Sequence, residues 1–120
     1  MSVAKVLWLA ALFALILLSG FWVARLGRPL NTAVFTVHKL LALACLVMFV
    51  VVIRAASVSS SMGFMAIALT ALTFALFASM FATGVFLSLE RPAPGFVLLL
   101  HRVVPVIMIA SSAGALYLIK

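Results

Sequence analysis

Residues 62–89 read MGFMAIALTALTFALFASMFATGVFLSL, an apolar stretch without a single charged residue. A hydrocarbon core roughly 30 Å thick is crossed by about 20 helical residues, and this run is longer than that. Its apolar residues are continuous rather than alternating, which argues against the period-two pattern of a membrane β-barrel. Three further stretches share the character: residues 3–23, with Lys5 near the start, residues 32–53 and residues 95–119. Together they predict an all-α polytopic membrane protein, an antiparallel bundle of four transmembrane helices forming one domain over residues 1–120.

The whole composition agrees. Of 120 residues, 69% are hydrophobic and 8% charged, with a mean hydropathy of +1.50. A soluble domain is nearer 45–50% apolar and about a quarter charged. The formal net charge of +7 would suggest nucleic acid in a soluble protein, but here the basic residues sit at the ends of apolar runs. That is where membrane topology requires positive charge, so the expected partner is the lipid bilayer and not nucleic acid. The one cysteine, Cys45, excludes an intramolecular disulfide. The first run has the basic start of a signal peptide but ends in Phe21-Trp22-Val23-Ala24-Arg25 without a small-residue cleavage site, and is read as a retained helix.

Three connections separate the runs. Arg25–Asn31 offers Gly27 as a stop, Pro29 as a breaker and Asn31 as an N-cap. Arg54–Ser61 reads as a polar turn. Glu90-Arg91-Pro92-Ala93-Pro94 breaks the chain again, with Pro94 suited to the first position of the last helix. Lys5, Arg54 and Lys120 fall on one membrane side, and Arg25, Arg28, Lys39, Arg91 and Arg102 on the other. The positive-inside rule then expects the two Arg-Pro connections in the cytoplasm and both termini outside, in a bacterial inner membrane.

A repeat with a 63-residue offset organises the chain. Arg28-Pro29 precedes His38-Lys39 by the same spacing at which Arg91-Pro92 precedes His101-Arg102. Upstream, Ser19-Gly20 corresponds to Thr83-Gly84 with a one-residue gap. The sequence thus reads as two copies of one helical hairpin, with halves at about residues 1–57 and 58–120. Both histidines of the chain fall at the same repeat position. They lie six or seven residues into helices that start on one membrane side, so both are expected roughly 10 Å below the same end. Gly20 and Gly84 reach a similar depth from the other two helices.

Two imidazoles and two glycines at one level point to a site for one haem, ligated by His38 and His101. The glycines would let backbone approach the flat macrocycle. Lys39, Arg102, Arg28 and Arg91 are candidate partners of the propionates, although Lys39 and Arg102 do not share the histidines' helix face and would have to snorkel. Pro105, four residues after His101, removes the helical donor of the His101 carbonyl and is able to bend the helix.

Plainer readings stand beside these. A lone intramembrane histidine is more often a packing residue, and the cations are individually interfacial anchors. The row Ala71, Ala75, Ala78 and Ala82 reads as a close-packing seam. Cys45 shares the His38 face at i+7 and Met108 the His101 face, each as a core residue by default.

With this constellation the chain resembles the membrane b-type cytochromes, including the cytochrome b561-like four-helix bundles. The resemblance covers the topology of nearly the whole chain and rests on His38-Lys39, His101-Arg102, Gly20 and Gly84. It implies a low-spin haem b held by two axial histidines, exchanging electrons with a quinone, ascorbate or a partner protein. Cytochrome b561 proper uses four histidines for two haems, whereas two histidines here allow one. A single haem near one face needs a quinone, a second redox subunit or a homo-oligomer to complete a path across the bilayer. The rival classes are a small transporter, channel or proton-handling protein using the two histidines, and a non-catalytic assembly subunit of a larger membrane complex. The only acidic residue, Glu90, stands beside Arg91, where a loop ion pair accounts for it rather than coupled transport.

Overall fold

A computed structural model describes residues 2–89 and 91–119. Glu90, with its expected ion pair to Arg91, and Lys120, one of the cations in the topology count, lie outside the described residues. The chain folds into four α-helices: α1 Val3–Leu26, α2 Thr32–Ser59, α3 Phe64–Ser88 and α4 Gly95–Ile119. Among the described residues there is no strand. Each helix is long and apolar enough to cross a membrane.

The helix ends show where local chemistry extended or cut the apolar runs. α1 continues three residues past the expected Val23 to Leu26, where the Arg25 guanidinium carbon lies 5.9 Å from the Phe21 ring centroid. An arginine in the last turn also complements the carbonyl end of the helix dipole. Gly27, at φ 68°, then turns the chain in a conformation that only glycine adopts without strain. α2 begins as expected, with Asn31 Oδ1 accepting from the Val34 N–H at 3.1 Å.

The polar turn expected at Arg54–Ser61 is a correction, because α2 runs on to Ser59. Ala55 and Ala56 favour helix, and Ser57 Oγ donates back to the Arg54 carbonyl at 2.9 Å. At 28 residues the helix is about 42 Å long, so its last turns extend beyond the hydrocarbon. α3 starts at Phe64 rather than Met62, after Gly63 in extended conformation. α4 keeps the expected bounds, with Pro94 standing one position ahead of its first residue, and the helix is continuous through Pro105.

Large apolar side chains cover the outer faces. Trp8, Leu18, Phe21, Leu40, Phe64, Leu99 and Val106 are all exposed. Water would make such a surface an aggregation site, and lipid makes it ordinary. The chain is an integral membrane protein. Trp8 and Tyr117 stand near one end of their helices and Trp22 near the opposite end of α1, the placement expected of interfacial aromatic belts.

The helices associate as two compact units, Met1–Val58 and Ser59–Lys120. Each is one antiparallel hairpin. In the second, Thr83 meets His101, Thr73 meets Ser111 and the Gly114 backbone meets Leu69, partners whose numbers run in opposite directions. The repeat reappears in the buried faces. Cys45, Phe49, Val52, Ile53 and Ala56 of α2 are buried, and so are their counterparts 63 residues on, Met108, Ser112, Ala115, Leu116 and Ile119. Phe13 of α1 and Phe77 of α3 are likewise equivalent and buried. All follow the three-and-four spacing of one helix face.

The two seams differ in chemistry. Where the first hairpin has Leu9 and Phe49, the second has Thr73 and Ser112. Thr73 Oγ1 lies 2.9 Å from Ser111 Oγ, and each hydroxyl also reaches a carbonyl of its own helix, Leu69 at 2.8 Å and Met108 at 3.0 Å. No buried side-chain nitrogen or oxygen among the described residues lacks a hydrogen-bond partner. The alanine row is a second correction: Ala71, Ala75, Ala78 and Ala82 are exposed. The face of α3 that packs on α4 carries Ala66, Thr70, Thr73 and Phe77 instead, and the close approach is made from α4. A Cβ on Gly114 would stand 3.0 Å from Leu69 Cδ1.

The Thr73–Ser111 contact gives a measurable increment. Thr73→Val removes one hydroxyl and leaves Ser111 bonded to the Met108 carbonyl. The expected loss of unfolding free energy is about 0.6 kcal/mol and no more than about 1.7 kcal/mol, the span of interhelical hydrogen bonds in membrane helices. Reversible unfolding in mixed micelles measures it.

Candidate functional site

Antiparallel pairing across a short connection decides what faces each histidine. His38 is six residues into α2, and Ser19 and Gly20 are about as far from the end of α1. The connection between them, residues 27–31, is short enough to hold these positions at one depth, roughly 10 Å from the helix ends. Ser19 Oγ lies 2.9 Å from His38 Nδ1 and 3.0 Å from the Ile16 carbonyl oxygen. Gly20 backs the same ring. A Cβ there would stand 3.1 Å from His38 Cε1, 3.6 Å from Nδ1 and 3.8 Å from Nε2.

The second hairpin repeats this arrangement atom for atom in kind. Thr83 Oγ1 lies 2.8 Å from His101 Nδ1, 2.8 Å from the Ser79 carbonyl oxygen and 3.2 Å from that of Met80. Gly84 backs His101, with a Cβ position 3.4 Å from Cε1. Ser19 and Thr83 are buried, while both imidazoles are half-buried. Each hairpin therefore contains the same cluster, made of a hydroxyl beside the imidazole Nδ1 and a glycine that leaves room for the ring.

These contacts give the glycines a nearer role than approach to a macrocycle: the space left by each missing side chain is taken by its own hairpin's imidazole. The hydroxyls were visible in the sequence only as markers of the repeat. Their function needed the pairing of α1 with α2 and of α3 with α4. The hydroxyl-glycine pair at equivalent positions in both copies is the signal by which they could have been found.

The cations are not gathered onto the imidazoles. Lys39 points back along α2, with its Nζ 4.6 Å from the Phe35 ring centroid, and is exposed. Such a lysine snorkels along the helix toward its N-terminal end. Arg102 is exposed on α4, and Arg28 and Arg91 are exposed in the two Arg-Pro connections. Arg28 and Arg91 thus lie in the connections and Lys39 reaches back toward the start of α2, while Arg102 follows His101 by one residue. Cys45 and Met108 are buried in the same seams as the histidines. Seven residues put each about 10 Å farther along its helix.

Among the described residues, no group of three or more His, Cys, Asp or Glu comes together. A tetrahedral zinc centre needs more donors than one imidazole per hairpin.

No family model, curated protein or solved structure matches the chain.

The glycines differ in how much they leave unfilled. Alanine at either position gains up to about 1 kcal/mol of helix propensity. At Gly84 the added Cβ makes an ordinary contact, so Gly84→Ala is expected to be neutral or stabilising. At Gly20 the ring has to move by a few tenths of an ångström. Gly20→Ala is therefore expected to shift the His38 ring resonances in NMR spectra of the solubilised protein, with those of His101 unchanged.

Proposed function

We propose that the chain is a membrane-embedded b-type cytochrome in which His38 and His101 are the axial ligands of one haem b. The observation that supports this reading is the duplication of the cluster. Each hairpin contains one imidazole at the same position along its own helix, with a hydroxyl of the neighbouring helix at Nδ1. A packing histidine has no need to recur with its partner and its glycine, whereas a bis-histidine site needs two equivalent donors. The hydroxyl at each Nδ1 is the kind of partner that usually accompanies a ligating histidine. The donor set fits haem iron, which takes four ligands from the porphyrin and two from the protein.

Haem b, once bound, supplies a one-electron carrier. The residues of this chain orient and seat it. Ser19 and Thr83 fix the plane of each imidazole, and Gly20 and Gly84 let the rings lie against the helices. Arg28 and Arg91 in the connections, Lys39 reaching back toward the start of α2 and Arg102 beside His101 offer positive charge to the propionates. Charge compensation toward the helix ends costs less than at mid-membrane, because long side chains reach both the group and water. Electron exchange is with a quinone or a partner redox subunit, and one haem near one face leaves the rest of the path to that partner or to a second copy of the chain.

Absorption spectra test the proposal. Protein from haem-replete cells is expected to show sharp Soret and α bands after dithionite reduction, lost in both His38→Ala and His101→Ala. A colourless, folded protein that takes up no added haemin would overturn it, and a proton-flux measurement would then examine the histidines as proton carriers.

For orientation, we propose the Arg-Pro connections in the cytoplasm of a bacterial inner membrane and both termini outside. In a chain with Cys45 replaced by Ala, a cysteine at Ser60 is expected to react with an impermeant maleimide in intact spheroplasts. A cysteine at Ala93 is expected to react only after lysis, and the reverse pattern would invert the topology.

A further inference from the structure

Two cations of the first hairpin rest on aromatic rings, and the two rings lie at one depth. The Arg25 guanidinium carbon is 5.9 Å from the Phe21 centroid, and Lys39 Nζ is 4.6 Å from that of Phe35. Helical side chains lean toward the N-terminus of their own helix. In an antiparallel pair that lean carries Arg25 inward from the end of α1 and Lys39 outward toward the start of α2. The contact between Ser19 and His38 fixes the register, so Phe21 stands level with Thr36, next to Phe35. Both charges are thus held about 5–8 Å inside the helix ends.

The rings also share a side. Counted at about 100° per residue from the buried face of its helix, Phe21 is turned by about 135° and Phe35 by about 55°, both in the sense of increasing residue number. One sense of rotation in two antiparallel helices leads to one side of the plane through their axes. Arg25 starts on the face of α1 opposite α2, and its contact with Phe21 draws the guanidinium toward this side. Between the rings α1 presents only Gly20 and Ala24. Deeper on the same side stand Leu17 and Leu43, both exposed. The edge is therefore basic at one level and apolar below it.

This arrangement is not part of the duplicated cluster. The second hairpin has Val85 and Leu98 where the first has Phe21 and Phe35, and Leu89 in place of Arg25. Of the four residues only the cation at Lys39 recurs, as Arg102. The first hairpin holds Lys5, Arg25, Arg28, Lys39 and Arg54 and no acidic residue, since Glu90 belongs to the other unit. A carboxylate side chain to balance this edge is not available within it.

We infer that this edge of the first hairpin binds an anionic phospholipid, with the headgroup phosphate between Arg25 and Lys39 and an acyl chain descending past Ala24 and Gly20 toward Leu17 and Leu43. Charge complementarity selects the anion, and the apolar surface below selects a lipid over a soluble one. The aromatic rings limit the freedom of both cations, so less is lost when they close on a phosphate. The inference does not rest on the haem reading. That reading shares Lys39 and leaves Arg25 unused.

Native mass spectrometry of the full chain tests it, after reconstitution in nanodiscs of equal phosphatidylglycerol and phosphatidylcholine. The chain is expected to retain phosphatidylglycerol in preference. Arg25→Gln and Lys39→Gln are each expected to lower that preference about fivefold, the worth of one cation near an anionic surface, and Arg25→Lys to keep most of it. Arg54→Gln removes the same charge from the far end of the hairpin, and Arg102→Gln removes the counterpart of Lys39. Neither is expected to change the preference, and helical circular dichroism checks the fold of every variant.

Equal retention of the two lipids would overturn the inference. So would a preference lowered as much by Arg54→Gln as by Arg25→Gln, which is diffuse attraction of a basic chain to an anionic surface. Release of the lipid by excess inorganic phosphate would make the edge a soluble-anion site and overturn the lipid assignment. Loss of lipid in Arg25→Gln with haemin binding unchanged separates this site from the proposed haem, and a chain that binds no haemin leaves it standing.

Discussion

In hydrocarbon, a polar group that finds no partner costs several kcal/mol, and water is not there to provide one. That constraint orders everything seen in this chain. Backbone groups satisfy one another within four long helices. Serine and threonine hydroxyls, buried in the seams, turn first to the carbonyls of their own helix and then reach across to the neighbouring one. The charged side chains keep to the helix ends and connections, where Lys39 and Arg25 lie along phenylalanine rings. The imidazoles of His38 and His101 lie about 10 Å from the helix ends, each beside a hydroxyl of the neighbouring helix.

The same constraint explains why two copies of one hairpin keep the site and let the seam diverge. Phe13 and Phe77 fill equivalent positions, and so do Cys45 and Met108. Away from the histidines, Leu9 and Phe49 in one copy have become Thr73 and Ser112 in the other. Apolar packing and interhelical hydrogen bonding contribute comparable, small amounts to helix association in lipid, so either chemistry closes the hairpin. At the histidines no such freedom exists. Removing the hydroxyl would take from each Nδ1 the partner it has on the neighbouring helix, and adding a side chain at Gly20 would press on the ring.

Placing the donors on two separate hairpins has a further consequence. Each cluster of hydroxyl, imidazole and glycine is built inside its own unit. A ligand whose orientation is prepared in advance loses less freedom on coordination.

The helices were legible in the sequence because length and continuous apolarity are properties of the chain itself. The starts at Val3, Thr32 and Gly95 and the end of α4 at Ile119 fell where the apolar runs placed them, with Asn31 capping α2 as expected and Pro94 one position ahead of α4 rather than its first residue. The extension of α2 through Ser59 was not legible, since Ser57 reads as a turn residue until its hydroxyl is seen bonded to the Arg54 carbonyl. The alanine row of α3 was misread for a related reason: small residues mark a face suited to close packing, but which face meets a neighbour depends on the rotation of the helix. Four spanning helices, the duplicated hairpin and the paired histidines at equivalent positions were determined by the sequence alone, because hydropathy and spacing need no partner to be read. That Ser19 and Thr83 hold those histidines, that Gly20 and Gly84 make room for the rings, and that Lys39 turns away toward Phe35 were decided only by the tertiary structure. A hydrogen bond between residues some twenty positions apart exists only once two helices are laid side by side in one register.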